Sequence, residues 1–284
     1  MTFNYEEAFS RNIGWLTQAE QQHLRQKRVA IAGMGGVGGF HLLTLARLGI
    51  EKFHIADFDV FEIANFNRQA GAGMTSLNRP KVEVLAEMAR DISPECELGC
   101  FPGGVSPDNL GQFFQGVDLY IDGLDFFAFD ARERVFAYCA EHRIPAITVA
   151  PLGMSAALLN FMPGNISFED YFQLAGRPEV DKAVRFLVGL APALLHRHYL
   201  ADTARVDIRA RKGPSTVMGC QLSAGIAASE ALKVLLKRGK VWGAPHGIQF
   251  DSYRNRLAHT WRPGGNRNPL NRLAIALASR QLGL

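Results

Sequence analysis

From Arg28 the chain runs through apolar positions in which β-branched Val29 and Ile31 alternate with alanine, RVAIAG (28–33), into a knot of glycines, and then shows apolar residues at helical spacing up to Leu48. A short continuous apolar run bounded by turn signals marks a strand buried on both faces, and recurrence at i, i+3 and i+4 marks a helix. The alternation repeats downstream. FHIADFD (53–59) predicts a second strand. RPKVEVLAEMARDIS (79–93) predicts a helix with Val82, Leu85, Ala86 and Ala89 on one face. CELGCF (96–101) reads as a third strand, PDNLGQFFQG (107–116) as a short helix, and VDLYIDGLD (117–125) as a fourth strand ending in two acids. A helix over ARERVFAYCAEHR (131–143) and a fifth strand over IPAITVA (144–150) follow. Residues 1–27 form a helical lead-in, in which Thr17 and Glu20 have the spacing of a capping box. Strands alternating with helices of this length imply right-handed crossovers and a mainly parallel sheet.

The pattern changes after residue 150. SAALLNFMPG (155–164) reads as an edge strand, and 165–215 shows no clear alternation. STVMGCQLSAGIAASEALKVLLKRG (215–239) is a long apolar helix, with Ser215 as its opening cap and Gly239 at its end. HGIQFDSY (246–253) predicts a last strand. A basic tail rich in Pro, Gly and Asn, 254–284, ends in a short helix. The expected fold class is α/β: a Rossmann-like, mainly parallel sheet with helices on both faces, extended by antiparallel C-terminal strands. The expected organisation is one domain over 1–253, with a nucleotide-binding half at about 28–150, a crossover segment at about 151–215, and the tail after it.

Composition narrows the classes. The 284 residues are 48% hydrophobic and 20% charged, ordinary for a soluble globular chain and contrary to disorder. A net charge of +4 suits a phosphorylated ligand or an acidic partner, but no basic stripe interleaved with aromatics argues for nucleic acid, so DNA is not an expected partner. No apolar run reaches the ~18 residues of a membrane span. The nearest, 183–200, is interrupted by Arg185, Pro192 and two histidines, and the polar N-terminus is no signal peptide. The expectation is a cytoplasmic protein without a membrane partner. Cys96, Cys100, Cys139 and Cys220 form no C-x-x-C pair, and His196 and His198 have no nearby cluster of carboxylates, so zinc is not expected.

The chemistry starts at the glycines. Gly33, Gly35, Gly36, Gly38 and Gly39 sit between a strand and a helix, where backbone passes close to a phosphate and the helix N-terminus offers unpaired N–H groups. Asp57 closes the second strand at the distance where an acid accepts hydrogen bonds from ribose hydroxyls, which suits NAD, FAD or ATP alike. The discriminating residues follow in DFDVFEIANFNRQ (57–69). Asn65 and Arg68, with Lys81 beyond them, place a neutral donor and two cations near the phosphates. A departing pyrophosphate needs that charge; a bound dinucleotide does not. An NAD-dependent oxidoreductase would leave Asn65, Arg68 and Lys81 without work. A non-catalytic nucleotide-binding module is the other alternative.

The order G-x-G-G-x-G, D-x-D, N-x-x-R, K and a later Asp in IDGLD resembles the ThiF/MoeB/HesA family, the adenylyltransferases similar to ubiquitin-activating enzymes, over about residues 8–162. The resemblance implies that Gly33, Gly35, Gly36 and Gly38 line the nucleotide and Asp57 holds its ribose. It implies that Asp59, Asn65, Arg68 and Lys81 surround the triphosphate, with Arg68 and Lys81 as phosphate cations. Asp125, read as a strand-end acid, would hold Mg2+. Arg11, in FSRN, matches an N-terminal element whose arginine reaches the partner subunit's active site, which implies a homodimer. The implied reaction joins a carboxylate to MgATP, giving acyl-AMP and pyrophosphate. Its acceptor would be the C-terminus of a ubiquitin-like or sulfur-carrier protein, a peptide C-terminus, a carboxylate on a tRNA base or a small acid, received by segment 151–215. There RVDIRARKG (205–213) reads either as a basic receiving surface or as a solvated strand face. Two departures stand out. Asp125 is followed by Phe126, where the family has Asn. No cysteine lies between Cys139 and Cys220, so the segment that carries a thioester cysteine in some relatives has none.

Overall fold

Asn4 opens α1 (Tyr5–Ala8) by accepting a hydrogen bond from Glu7 N–H. Thr17 opens α2 (Gln18–Arg25) with the capping box read in the sequence: its hydroxyl accepts from Glu20 N–H, and the Glu20 carboxylate accepts from Thr17 N–H at 2.8 Å. The apolar runs and stripes then become β1 (Arg28–Ala32), α3 (Gly38–Arg47), β2 (Lys52–Ala56), α4 (Lys81–Ile92), β3 (Glu97–Phe101), α5 (Leu110–Phe113) and β4 (Leu119–Asp122). The computed structural model describes residues 2–282. It divides into two compact units. One holds the chain up to Leu124 with Ala224–Val241, the other Asp125–Ser223 with the residues from Trp242 on.

In the first unit the four strands are parallel in the order β3-β2-β1-β4, with Ile31 of β1 opposite Ile55 of β2 and Ile121 of β4. Val29 to Ala32 are fully buried, as a central strand's continuous apolar run requires. On α4 the predicted face, Val82, Leu85, Ala86 and Ala89, is the buried one.

The second unit holds α6 (Phe129–Glu141), β5 (Ala146–Leu152), β6 (Ser155–Phe161), α7 (Phe168–Phe172), α8 (Glu179–Leu190), α9 (Val217–Leu236), β7 (His246–Asp251), β8 (Arg256–Trp261) and α10 (Pro269–Gln281). From Ala224 onward α9 counts with the first unit. Its strands are antiparallel in the order β5-β6-β7-β8. The fold class read from the sequence holds in both of its parts.

Several local expectations are corrected. β6 is no edge strand: it pairs with β5 and β7, and all seven of its residues are buried. The basic tail carries β8, a strand that escaped prediction because its side chains are mostly exposed and leave no apolar alternation. Segment 165–215 contains α7, capped by Ser167, and α8, whose Val184 and Val188 pack against Ile275 of α10. RVDIRARKG is an exposed turn closed by paired hydrogen bonds between Asp207 and Lys212, not a strand face. At the start of α9 it is Thr216 Oγ1 that accepts from Gly219 N–H, one residue later than the Ser215 cap expected. Among the described residues no helix is long and apolar enough to cross a membrane.

Candidate active site

β1 ends where Gly33 turns to φ +87°. A Cβ on Gly33 would lie 2.2 Å from Gly123 O, and one on Gly38 would lie 1.7 Å from Gly33 O. Both glycines are therefore demanded by backbone packed on backbone. Gly35 is different: its φ is not left-handed, and the only atom within 4 Å of its missing Cβ is Gln69 Nε2, at 3.8 Å. Gly36 lies in the same turn. α3 then begins with no side-chain cap, the kind of helix start that leaves N–H groups for an anion.

Asp57 follows the last residue of β2. Its Oδ2 accepts from Met34 N–H at 2.6 Å and its Oδ1 from Asp59 N–H at 2.8 Å. One carboxylate thus braces the glycine turn against the loop after β2 and keeps lone pairs free for a hydroxyl. Burial pushes its pKa above the ordinary carboxylate value, against the pull of these two bonds and of Lys81. Lys81 is the first residue of α4. Its Nζ donates to Asp59 Oδ2 at 2.9 Å and its N–H to Asp59 O, and its side chain is only 6% exposed. Asn65 is buried. Its Oδ1 accepts from Glu62 N–H, and its carbonyl accepts from the N–H groups of Arg68 and Gln69. Arg68 Nη1 donates to Ala64 O and Asn67 Oδ1. The glycines, Asp57, Asp59, Asn65, Arg68 and Lys81 are thus gathered in the first unit, beyond the C-terminal ends of β1 and β2, where open α/β sheets take their ligands.

Arg11 is not brought to this place. It is exposed in a 3₁₀ turn (Ser10–Asn12) anchored by Asn12, whose Nδ2 donates to Gln21 Oε1 and to Leu48 O. Leu48 lies just past the C-terminal end of α3, a helix about 15 Å long that starts at the glycines.

Asp125 is not at a strand end. β4 stops at Asp122, because Gly123 turns away against Gly33 and the Asp122 carboxylate accepts from Leu124 N–H. Asp125 is an exposed residue in the loop before α6, and its Oδ1 accepts from Phe127 N–H at 2.9 Å. The loop is held by Arg132, a buried guanidinium that donates to Asp125 O and Phe126 O with its carbon 4.7 Å from the Phe186 ring centroid. Phe126, where the family has Asn, joins an aromatic cluster with Phe127, Phe129 and Phe186. Asp122, Arg132 and Gln69 escaped the sequence reading. Asp122 stood in the quoted IDGLD and Gln69 beside Arg68, but nothing local announces that either is buried.

The remaining groups take little part. Burial raises the Cys96 thiol to about 12 and lowers His196 to about 4, while Cys220 is fully buried. Among the described residues no three His, Cys, Asp or Glu side chains gather as a metal cluster. A cleft of about 270 Å³ lies by the N-terminal end of β2, opposite Asp57, and its lining residues Arg25 and Glu51 are already ion-paired at 2.6 Å.

The model of the ThiF family matches residues 9–272. The chain belongs to the ThiF family. Among its ThiF-type relatives, tRNA threonylcarbamoyladenosine dehydratase of Haemophilus influenzae is 34% identical over 152 residues, 53% of this chain and 57% of that protein. The probable adenylyltransferase/sulfurtransferase MoeZ of Mycobacterium tuberculosis is 33% identical over 108 residues, 38% of this chain and 28% of that protein. The match therefore spans little more than half of the first relative. The E. coli tRNA N6-threonylcarbamoyladenosine dehydratase, solved in complex with ATP, superposes with a TM-score of 0.60 at 23% identity, covering 82% of this chain and 95% of that one. That likeness concerns the fold.

Proposed function

We propose that this ThiF-family chain is an ATP-dependent adenylyltransferase that activates a carboxylate as acyl-AMP. The observation that carries the reading is the continuous brace from Met34 N–H through Asp57 and Asp59 to Lys81, set beside a turn holding Asn65 and Arg68. A redox dinucleotide needs the glycines and Asp57 but not the two cations. The relative solved with ATP and the relative described as an adenylyltransferase support the same nucleotide and chemistry.

In the proposed reaction a carboxylate oxygen attacks the α-phosphorus of ATP. The bond from that phosphorus to the bridging oxygen breaks, and pyrophosphate leaves with the electron pair. The acid attacks already ionised, so no general base is needed. The obstacle is anion meeting anion, and preorganised cations lower it. Lys81 is held in place by Asp59 before the nucleotide arrives, so its ordering cost falls on folding. Arg68 keeps guanidinium N–H groups beyond the Nη1 bonds that aim it. Asp57 accepts from the ribose. Asp125, an exposed carboxylate with hard oxygen atoms, would hold Mg2+, which would supply positive charge to the departing pyrophosphate.

The protein is proposed to act as a homodimer in which Arg11 serves the partner's site. The support is its exposed turn, held at the far end of α3 from its own glycines, with Trp15 86% exposed beside it. A monomer in sedimentation at working concentration removes Arg11 from the mechanism. The acceptor is the C-terminus of a sulfur-carrier or ubiquitin-like protein or of a peptide, or a small acid, or the base carboxylate suggested by the dehydratase relatives.

Calorimetric titration tests the reading. MgATP should bind and NAD should not, and Arg68→Ala should fold normally yet lose about 10²–10³ in adenylation turnover, measured as pyrophosphate exchange. NAD binding indifferent to Arg68 would overturn it.

A further inference from the structure

Gln69 carries an unexplained cost. It is 8% exposed, and its Oε1 is buried with no hydrogen-bond partner. A buried carbonyl left unpaired is destabilising, and few are kept in native proteins without a reason. The other end of the same amide, Nε2, overlooks Gly35 at 3.8 Å from where a side chain would begin. Among the glycines of the run whose surroundings are described, Gly33 and Gly38 meet backbone and Gly39 meets the Leu85 side chain at 3.2 Å, whereas Gly35 has neither a left-handed φ nor a tight neighbour to explain it. The two oddities face each other across one small space. Leaving Gly35 bare keeps that space open, and the orientation of Gln69 puts two N–H donors at its edge while its acceptor is turned into the protein.

We infer that Gln69 is a phosphate-binding residue, donating from Nε2 to a nonbridging phosphate oxygen of the nucleotide seated over Gly35. This rests on the nucleotide-binding reading above. Its backbone is held by the turn that carries Arg68: the N–H groups of Arg68 and Gln69 both donate to Asn65 O. The donor is neutral. Its work is to fix where the phosphates lie, while Arg68 and Lys81 supply charge.

The test is titration of the full chain with MgATP, AMP and adenosine, in wild type, Gln69→Leu and Gln69→Glu, together with thermal melts. Gln69→Leu removes the unpaired oxygen and the donor together. Its melting temperature should hold or rise, its Kd for MgATP and AMP should rise about tenfold, and its affinity for adenosine should not move. Gln69→Glu replaces the donor by an anion and should weaken MgATP at least as much, again sparing adenosine; it carries the test should the leucine variant not fold. Loss of stability with MgATP affinity unchanged would make the amide a structural group and overturn the inference, leaving the adenylyltransferase reading intact. Absence of MgATP binding in the wild type would sink both, and MgATP binding by the wild type that is equal in both variants sinks only this one.

Discussion

The glycine turn of the first unit and the Asp125 loop of the second hold their backbones by opposite means. In the turn, a carboxylate does the holding: Asp57 accepts from Met34 N–H and Asp59 N–H, and glycines pack backbone against backbone. In the loop, a cation does it: Arg132 donates to the carbonyls of Asp125 and Phe126. What each brace leaves over is its chemical offering. The first leaves donors, at the uncapped start of α3, at Lys81 and at the Gln69 amide. The second consumes carbonyls and leaves an exposed carboxylate on Asp125. Donors in one place suit phosphate; an acceptor in the other suits a metal ion.

The sharpest way to break the first brace is Gly38→Ala. Its Cβ would fall 1.7 Å from Gly33 O, a backbone atom of the same turn, with no flexible side chain to give way. The variant is expected to lose about 4 kcal/mol or more, the range reached only when packed backbone is forced apart. Urea unfolding checks it, and a stable variant would show that the turn is looser than its contacts.

The second brace should yield less. Arg132→Leu keeps an apolar side chain against Phe186 but takes the guanidinium from both carbonyls, leaving Asp125 O with the Ala128 N–H alone and Phe126 O without its charged donor. Hydrogen bonds from a charged donor are worth about 1.5–3 kcal/mol, so a loss of about 3 kcal/mol is expected for the pair. Faster limited proteolysis between Asp125 and Ala128 should accompany it. Equal stability with an intact loop would mean that the aromatic cluster, not the guanidinium, holds Asp125.

The two regions also differ in how far they could be read from sequence. Burial on both faces writes continuous apolar runs, so β1 and β4 showed themselves, β2 did so by apolar residues alternating with Lys52 and His54, and the capping box at Thr17 by its spacing. Asp57, Asn65, Arg68 and Lys81 follow one another in a short span, so their spacing survives folding as proximity. β8 shows mostly exposed side chains and hid in a basic tail. Asp122 and Asp125 lie three residues apart, within the ordinary error of a strand end, and only the fold separates the buried acid from the exposed one. The buried sides of Arg132 and Gln69 depend on what packs over them. Residue type argued the other way in both cases, since arginine and glutamine usually face water.

Gly35→Ala is the smallest change and the one that separates folding from function within the turn. The new methyl would meet only Gln69 Nε2, at an ordinary 3.8 Å, and the backbone there adopts no left-handed angle. Alanine also narrows the unfolded ensemble, so stability should stay within about 0.5 kcal/mol of wild type or rise slightly. Nucleotide affinity should nevertheless fall, because the methyl occupies the space between the turn and the Gln69 amide. The contrast with Gly38→Ala is the point: one glycine is required by the protein's own backbone, the other by what the backbone is bare to receive. A thermal melt and an MgATP titration on the same sample read both. Unchanged melting with weakened binding assigns Gly35 to the ligand. Weakened melting would instead place it with Gly33 and Gly38, as one more residue the turn needs in order to close.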